Sequence, residues 1–210
     1  MLRSNEEAYI LGLWCADGYH RTSSFGLSNI NLALIKRFRK YLLSVMPKER
    51  LRLRVYIPLR CHGEVPTDLK EMCDKISYLK VRKAAHIAYQ IYVNSRPMLR
   101  NFRELRKNSG KLSETKIIPY LAGRFDGDGS VGKDFRRDMR IVYSNSEEAE
   151  NDKNLLAKIR NYKTKIYYYK NAKTYCLYVS RYDTKNFFRE ISLFSSILKS
   201  LCPVETVSVV

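Results

Sequence analysis

One nine-residue segment is written twice in this chain, and it constrains the fold more than any other feature. It reads ILGLWCADG at Ile10–Gly18 and LAGRFDGDG at Leu121–Gly129, with the two aspartates 111 residues apart (128 − 17). In each copy a glycine inside an apolar run is followed four positions later by a small residue: Gly12 by Ala16, and Gly123 by Gly127. Glycine inside a helix costs roughly 0.5–1 kcal/mol against alanine, so its recurrence asks for a steric reason. Positions i and i+4 share a helix face, and a strip of small residues lets a second backbone approach closely. If the strips face each other, the two helices cross tightly and bring their C-terminal ends together.

The repetition extends past the motifs. YQIYVNS at Tyr89–Ser95 is answered by YCLYVSR at Tyr175–Arg181, and LSN at Leu27–Asn29 by YSN at Tyr143–Asn145. Stretches of helical apolar spacing follow at Ile30–Val45 and Ser146–Tyr162. Each half therefore reads motif helix, strand pair, helix, strand, strand, helix, a duplicated α+β unit rather than a short-period solenoid. KNSGKLS at Lys107–Ser113 is the best linker and divides the chain into residues 1–109 and 110–210. An extra piece, Cys61–Lys83, interrupts the first half and reads as a loop with a short helix. Ser4 with Glu7 forms a capping box that starts the first motif helix, which can run to about Ala16. Ser113 or Thr115 can cap the second, and Pro119 favours the later start because only early helical positions tolerate a missing N–H. Pro97 suits the first turn of a further helix.

The strands are cationic on one side. In LRLRVYIPLR, Leu51, Leu53, Val55, Ile57 and Leu59 point one way, and Arg52, Arg54, Tyr56 and Arg60 the other. KIYYYK (Lys165–Lys170) and KTYCLYVSR (Lys173–Arg181) predict a hairpin with outward Lys165, Tyr167, Tyr169 and Lys173. A solvated sheet face ordinarily mixes acids with bases; these nearly lack acids, which fits a sheet laid along phosphates with polar side chains reaching base edges. The whole chain agrees: 39 Lys+Arg stand against 21 Asp+Glu, a formal charge of +18. Such an excess repels itself unless a polyanion binds, so nucleic acid is the first partner expected, ahead of a generally basic surface. No apolar run reaches transmembrane length, and MLRSNEEAY lacks signal-peptide architecture. Five cysteines without a CxxC pair point to reduced thiols, not a zinc ribbon or disulfide framework. The expectation is a soluble intracellular protein, cytoplasmic in a prokaryote, with an organelle or nucleus open otherwise.

Asp17 and Asp128 end the two motif helices. A helix C-terminus carries partial negative charge, and an acid there is unfavourable by about 0.3–1 kcal/mol. Two acids brought together also repel. The arrangement makes sense if hard divalent cations such as Mg²⁺ complete it, since these bind carboxylates, carbonyls, water and phosphate. Gly18 and Gly129 then turn the chain away from each helix.

These residues resemble the LAGLIDADG motif of homing endonucleases in the single-chain, two-motif arrangement. The second copy departs only at Arg124, Phe125 and Gly127; the first departs further, with Leu11, Trp14 and Cys15, but keeps its glycine and its final Asp-Gly. The resemblance in element order runs from about residue 4 to about residue 200. It implies an α+β fold of two pseudo-symmetric αββαββα halves whose antiparallel sheets form a DNA-binding saddle over the major groove. It also implies a monomer that needs no protein partner. Asp17 and Asp128 would hold Mg²⁺, with Mn²⁺ able to substitute, beneath the scissile phosphates, assisted by the carbonyls of Ala16 and Gly127. One acid per strand implies a double-strand break with short 3′ overhangs in a long asymmetric target. Asn29 and Asn145 take the place of the polar residue that positions water in the family. Lys116 and Lys199 are the candidates for the peripheral lysine that supports charge in each half.

Other readings fit less well. His20 has no partner in the second half, which speaks against a histidine-based nuclease. Glu114-Thr115-Lys116 with Asp68 imitates the acid and E-x-K pattern of restriction-type nucleases, but here it opens a helix instead of lying on a core strand. An intein would need a splicing nucleophile and a terminal His-Asn pair. An RNA-binding intron maturase on the same fold, and a DNA-binding relic that no longer cuts, are the two rivals of substance; neither would need both acids.

Overall fold

The structure, a computed structural model, describes residues 2–60, 69–132 and 138–198. The first half of the sequence gives helix α1 (Asn5–Asp17), strands β1 (Gly18–Tyr19) and β2 (Ser24–Asn29), helix α2 (Leu32–Val45) and strand β3 (Arg52–Pro58). It continues with a short helix α3 (Leu69–Met72), strands β4 (Ile76–Val81) and β5 (Ala88–Asn94), and helix α4 (Arg96–Lys107). The second half gives α5 (Glu114–Asp128), β6 (Gly129–Val131), β7 (Met139–Tyr143), α6 (Ser146–Arg160), β8 (Thr164–Tyr169), β9 (Thr174–Val179) and α7 (Thr184–Ser192). Without α3 and β4, each half reads αββαββα, as the duplicated motifs predict.

Packing groups the described residues of 17–107 into one unit, and residues 2–16 with the described residues from 108 onward into another. The first unit has the sheet order β1-β2-β5-β3-β4 and the second β6-β7-β9-β8, so the two share one topology apart from an added edge strand. That strand departs from the expected antiparallel sheet and from the loop-and-helix reading of the insertion. β4 runs parallel to β3, with Leu53 opposite Ile76 and Val55 opposite Tyr78. A parallel neighbour needs a crossover, and α3 lies between the two strands in chain order. The first eight insertion residues, 61–68, which include Asp68, lie outside the described residues.

Caps and apolar spacing set the outer helices. Asn31 caps α2 by accepting from the Ala33 N–H at 2.9 Å, and Leu34, Ile35, Phe38 and Leu42 form its buried stripe. Phe25 of β2 packs between Phe38 of α2 and Phe102 of α4, with ring centroids 5.6 and 4.4 Å away. Each such buried ring contributes about 1.5–3 kcal/mol. In the second unit Asn145 caps α6 from the Glu148 N–H at 2.9 Å, and Asn161 ends that helix in the left-handed region at φ 49°. Leu155, Leu156, Phe187 and Ile191 form the core beneath its sheet. The strict alternation of the β3 segment holds for buried Leu51, Leu53 and Val55 but not to its end: Pro58 is buried and Leu59 is exposed. The strand stops at Pro58, and a turn residue has no sheet face to occupy.

The two motif helices cross inside the second unit. Ser4 accepts from the Glu7 N–H at 3.0 Å, the predicted cap, and α1 runs one residue past Ala16. α5 begins at Glu114, earlier than Pro119 suggested. The Lys116 N–H reaches the Ser113 carbonyl, a tight first turn, and Pro119 sits inside the helix. The small-residue strips face each other. A Cβ built on Gly12 would lie 1.9 Å from the Tyr120 carbonyl oxygen, and one on Gly123 would lie 2.0 Å from that of Tyr9. Only glycine allows two backbones this close. Ala8–Cys15 are all buried, as a helix apolar on every side requires.

Candidate functional site

Each motif helix ends in its aspartate five residues beyond its crossing glycine, about 7.5 Å along the axis. Carbonyls of a last helical turn have no partner within the helix, and Ala16 and Gly127 stand in that turn of α1 and α5. The surroundings of the two acids differ.

In the first unit Asn29 donates from Nδ2 to Asp17 Oδ2 at 2.6 Å. Its own Oδ1 accepts from the Asn31 N–H at 2.6 Å, which fixes which way the amide points. Asn29 is thus a positioning group for Asp17. In the second unit Asn145 does not do the same work; it is the N-cap of α6. The sheet register explains why the paired Ser-Asn dipeptides misled. Gly18 faces Leu27, and Gly129 faces Ile141, so Asn29 corresponds to Tyr143 and the cap Asn31 corresponds to Asn145.

Tyr143 is buried and donates to Asp152 Oδ2 at 2.9 Å. Its ring lies 4.5 Å beneath the Arg124 guanidinium. Arg124, only 1% exposed, pairs with Glu148 at 3.2 Å and Asp152 at 3.5 Å. Burial pushes the Asp152 carboxyl up to about 6 against the pull of Arg124. The same guanidinium acts on Asp128: burial raises that carboxyl above its ordinary range, Arg124 draws it back, and Glu148 raises it further. Among the described residues no side chain donates a hydrogen bond to Asp128. A half-buried carboxylate compensated only at a distance is a donor set suited to a hard cation.

The sign of this shift gives a prediction. A carboxyl whose folded-state pKa is raised favours folding when protonated, and that contribution is lost as pH rises through the folded value. At neutral pH and with a chelator present, Asp128→Asn should therefore melt at or above the wild-type temperature. The difference should vanish as pH falls toward the ordinary carboxylate range, and parallel thermal melts would check it.

Of the two lysine candidates, the described one does not join Asp128. Lys116 is in the first turn of α5 and donates to Asn5 Oδ1 at 2.9 Å. It stands twelve residues (128 − 116), about 18 Å, from Asp128 along that helix. Lys199 lies outside the described residues. Asp126 of the second motif is structural: it accepts from Tyr9 Oη at 2.5 Å and from the Ser196 N–H at 2.6 Å, and also from Ser195 Oγ.

The predicted cationic strand faces are present. Arg52, Arg54 and Tyr56 share the outer face of β3, and Lys165, Tyr167 and Tyr169 that of β8. Arg60 follows β3 in a turn, and Lys173 sits in the β8–β9 turn at φ 51°. Sequence reasoning missed Gln90, Tyr92, Arg140 and Tyr178, which share these faces. The alternation MRIVY, with Arg140 between buried Met139 and Ile141, was the available signal. Among the described residues no helix is long and apolar enough to cross a membrane.

Comparison with known proteins agrees with this geometry. Residues 115–192 match the LAGLIDADG-like domain family. Similar solved structures include I-DmoI in complex with DNA and Mn, with TM-score 0.62, 16% identity, and coverage of 91% of this chain and 97% of that one. I-DmoI with DNA and Ca has TM-score 0.66 at 14% identity, covering 94% and 96%. The N-terminal LAGLIDADG domain of DUF199/WhiA has TM-score 0.59 at 16% identity, covering 91% and 85%. No curated protein matches the sequence at a significant level. The family match covers residues 115–192, and with a second motif helix, a second sheet of the same strand order and solved structures of similar fold along nearly the whole chain, the chain has the two-motif LAGLIDADG fold.

Proposed function

We propose that this protein is a site-specific, divalent-metal-dependent DNA endonuclease of the homing type, encoded by an intron, that cuts both strands of a long asymmetric target. The observation that carries the reading is the aspartate kept at the last position of each crossed helix, where helix electrostatics disfavour it, as burial also does at Asp128. I-DmoI, of similar fold, has been seen with DNA and with Mn, Mg or Ca.

The donor chemistry suits Mg²⁺ or Mn²⁺: two carboxylates, with last-turn carbonyls of Ala16 and Gly127 beside them. A bound cation would lower the pKa of its water and neutralise charge on the scissile phosphate and leaving oxygen. The protein's own part is to hold the acids. Asn29 orients the Asp17 carboxylate without exhausting it, since an ionised carboxylate accepts at about four positions. Arg124, buried and paired, keeps a positive charge near Asp128. Arg52, Arg54, Tyr56, Arg60, Lys165, Tyr167, Tyr169 and Lys173 are the groups assigned to the duplex. Arg52→Ala should weaken binding across sequences and lower the slope of log affinity against log salt by about one. Binding titrations at several salt concentrations would check this.

The test is to incubate purified protein with Mg²⁺ and DNA spanning the intron-free insertion site of its own gene, then map the ends. Paired cuts with short 3′ overhangs, absent without metal and with Ca²⁺, support the reading. Binding without cutting under every metal would reduce it to a recognition protein. A second reading, an intron maturase, draws on a groove of about 1100 Å³ beside β8, lined by Lys153, Lys163, Tyr167 and exposed Tyr182. Such rings stack on unpaired bases. Intron RNA that binds while duplex DNA does not would favour it.

A further inference from the structure

Each unit carries one outer-face arginine held in place by tyrosine, and the two stand at different positions of an otherwise repeated sheet. In the first unit this is Arg54 on β3. Its Nη1 donates to Gln90 Oε1 at 3.4 Å and to Tyr19 Oη at 3.5 Å, and its guanidinium lies 4.8 Å over the Tyr92 ring. Tyr56 donates to the same Gln90 oxygen at 3.0 Å, and Gln90 is only 4% exposed, so the support is itself fixed.

In the second unit it is Arg140 on β7. Its Nε donates to Ser130 Oγ at 2.8 Å and its Nη1 to Tyr178 Oη at 3.4 Å. Tyr178 shares a 2.6 Å hydrogen bond with Tyr169 and meets Tyr167 edge-on at 5.2 Å.

The register shows that these arginines are not counterparts. Arg54 faces Gln90, while Tyr167 faces Cys176, the residue equivalent to Gln90; the position of Arg54 is therefore Tyr167 in the second unit. Gly26 faces Tyr92 and Arg140 faces Tyr178, so the position of Arg140 is Gly26 in the first. A Cβ on Gly26 would lie 2.5 Å from the Tyr92 Cβ, so the first unit has no room for an arginine there. Counting from the strand that follows each motif, Arg140 lies on the next strand and Arg54 on the fourth.

We propose that Arg54 and Arg140 are the principal guanine-reading residues of the two units, and that the guanines they read lie at unequal distances from the cut. An arginine fork bonds bidentately to guanine O6 and N7 in the major groove, the commonest base-specific contact. A guanidinium already pinned by neighbouring side chains loses little freedom on reading a base, unlike exposed Arg60, for which no such support is present among the described residues. The inference rests on the proposed function, and its test separates the two. A randomised double-stranded DNA library is selected on the protein in Ca²⁺ and sequenced.

The wild type should select one strong guanine in each half of the recovered consensus, at unequal distances from its centre. Arg54→Lys and Arg140→Lys keep the charge but not the fork, and each should relax one of the two guanines, by about fivefold to a hundredfold in preference. Tyr178→Phe, lacking the acceptor for Arg140, should weaken the same guanine as Arg140→Lys. Guanine preferences untouched by both lysine variants, or guanines placed symmetrically, would overturn the inference while leaving duplex binding intact. So would an unchanged preference in Tyr178→Phe. Failure of the wild type to retain any duplex would overturn the proposed function and this inference with it.

Discussion

Asp17→Asn and Asp128→Asn are each expected to lower double-strand cleavage by about a thousandfold or more while duplex affinity changes little. Under the proposed function each variant removes a metal-binding carboxylate: the charge stabilisation lost in the transition state is worth several kcal/mol, and each 1.36 kcal/mol is tenfold in rate. Amide and carboxylate are nearly isosteric, so the helix crossing should survive either change. The two variants should differ in what remains. If each acid serves one strand, each variant should leave a nicked product, and the nicked strand should differ between them. Single-turnover assays on supercoiled and end-labelled DNA read both quantities. Full cutting by either variant would remove that aspartate from the chemistry. Asn29→Ala gives a useful contrast, since it unfastens Asp17 without removing it.

The second large effect is on stability. Gly12→Ala or Gly123→Ala places a methyl about 2 Å from a carbonyl oxygen of the facing helix. Neither side can yield by rotating a side chain, because the obstacle is backbone. Overpacking typically costs 1–3 kcal/mol and occasionally more. Here the cost should be about 3 kcal/mol or more, a fall of roughly 6–12 °C in melting temperature for a chain of this size. Gly129→Ala, against Phe125, makes a local control: its obstacle lies on its own helix end. Thermal melts of the purified variants decide it. A melting temperature within a degree or so of wild type at Gly12 or Gly123 would mean that the helices are not pressed together there.

Much of this was legible in the sequence, for identifiable reasons. Glycine spacing fixed the crossing, because nothing else explains two paired small residues in apolar helices. Alternation fixed β3 as far as Val55, and the Lys-Tyr hairpin fixed β8 and β9. Other features needed partners that a linear reading does not supply. Matching the Ser-Asn dipeptides set Asn29 against Asn145, whereas strand register sets it against Tyr143. The capping role of Asn31 before Leu32 was the missed clue. Arg124 looked like a lapse from the motif; its justification lies on α6, in Glu148 and Asp152. Lys116 was chosen by residue type, and only its place at the far end of α5 removes it from Asp128. The parallel β4 was hidden because register against β3 is not written in its own residues.

The placement of α1 has a consequence for synthesis. Ribosomes add about 5–20 residues per second. Helix α1 is apolar on every side, and the helix it packs against is finished 111 residues later (128 − 17). For about 5–20 seconds a nascent chain therefore carries Ile10, Leu11, Leu13 and Trp14 without the neighbour that finally covers the Gly12 strip. That interval is when a chaperone would find its handle, and when a slowed elongation through the middle of the message would be most costly to yield.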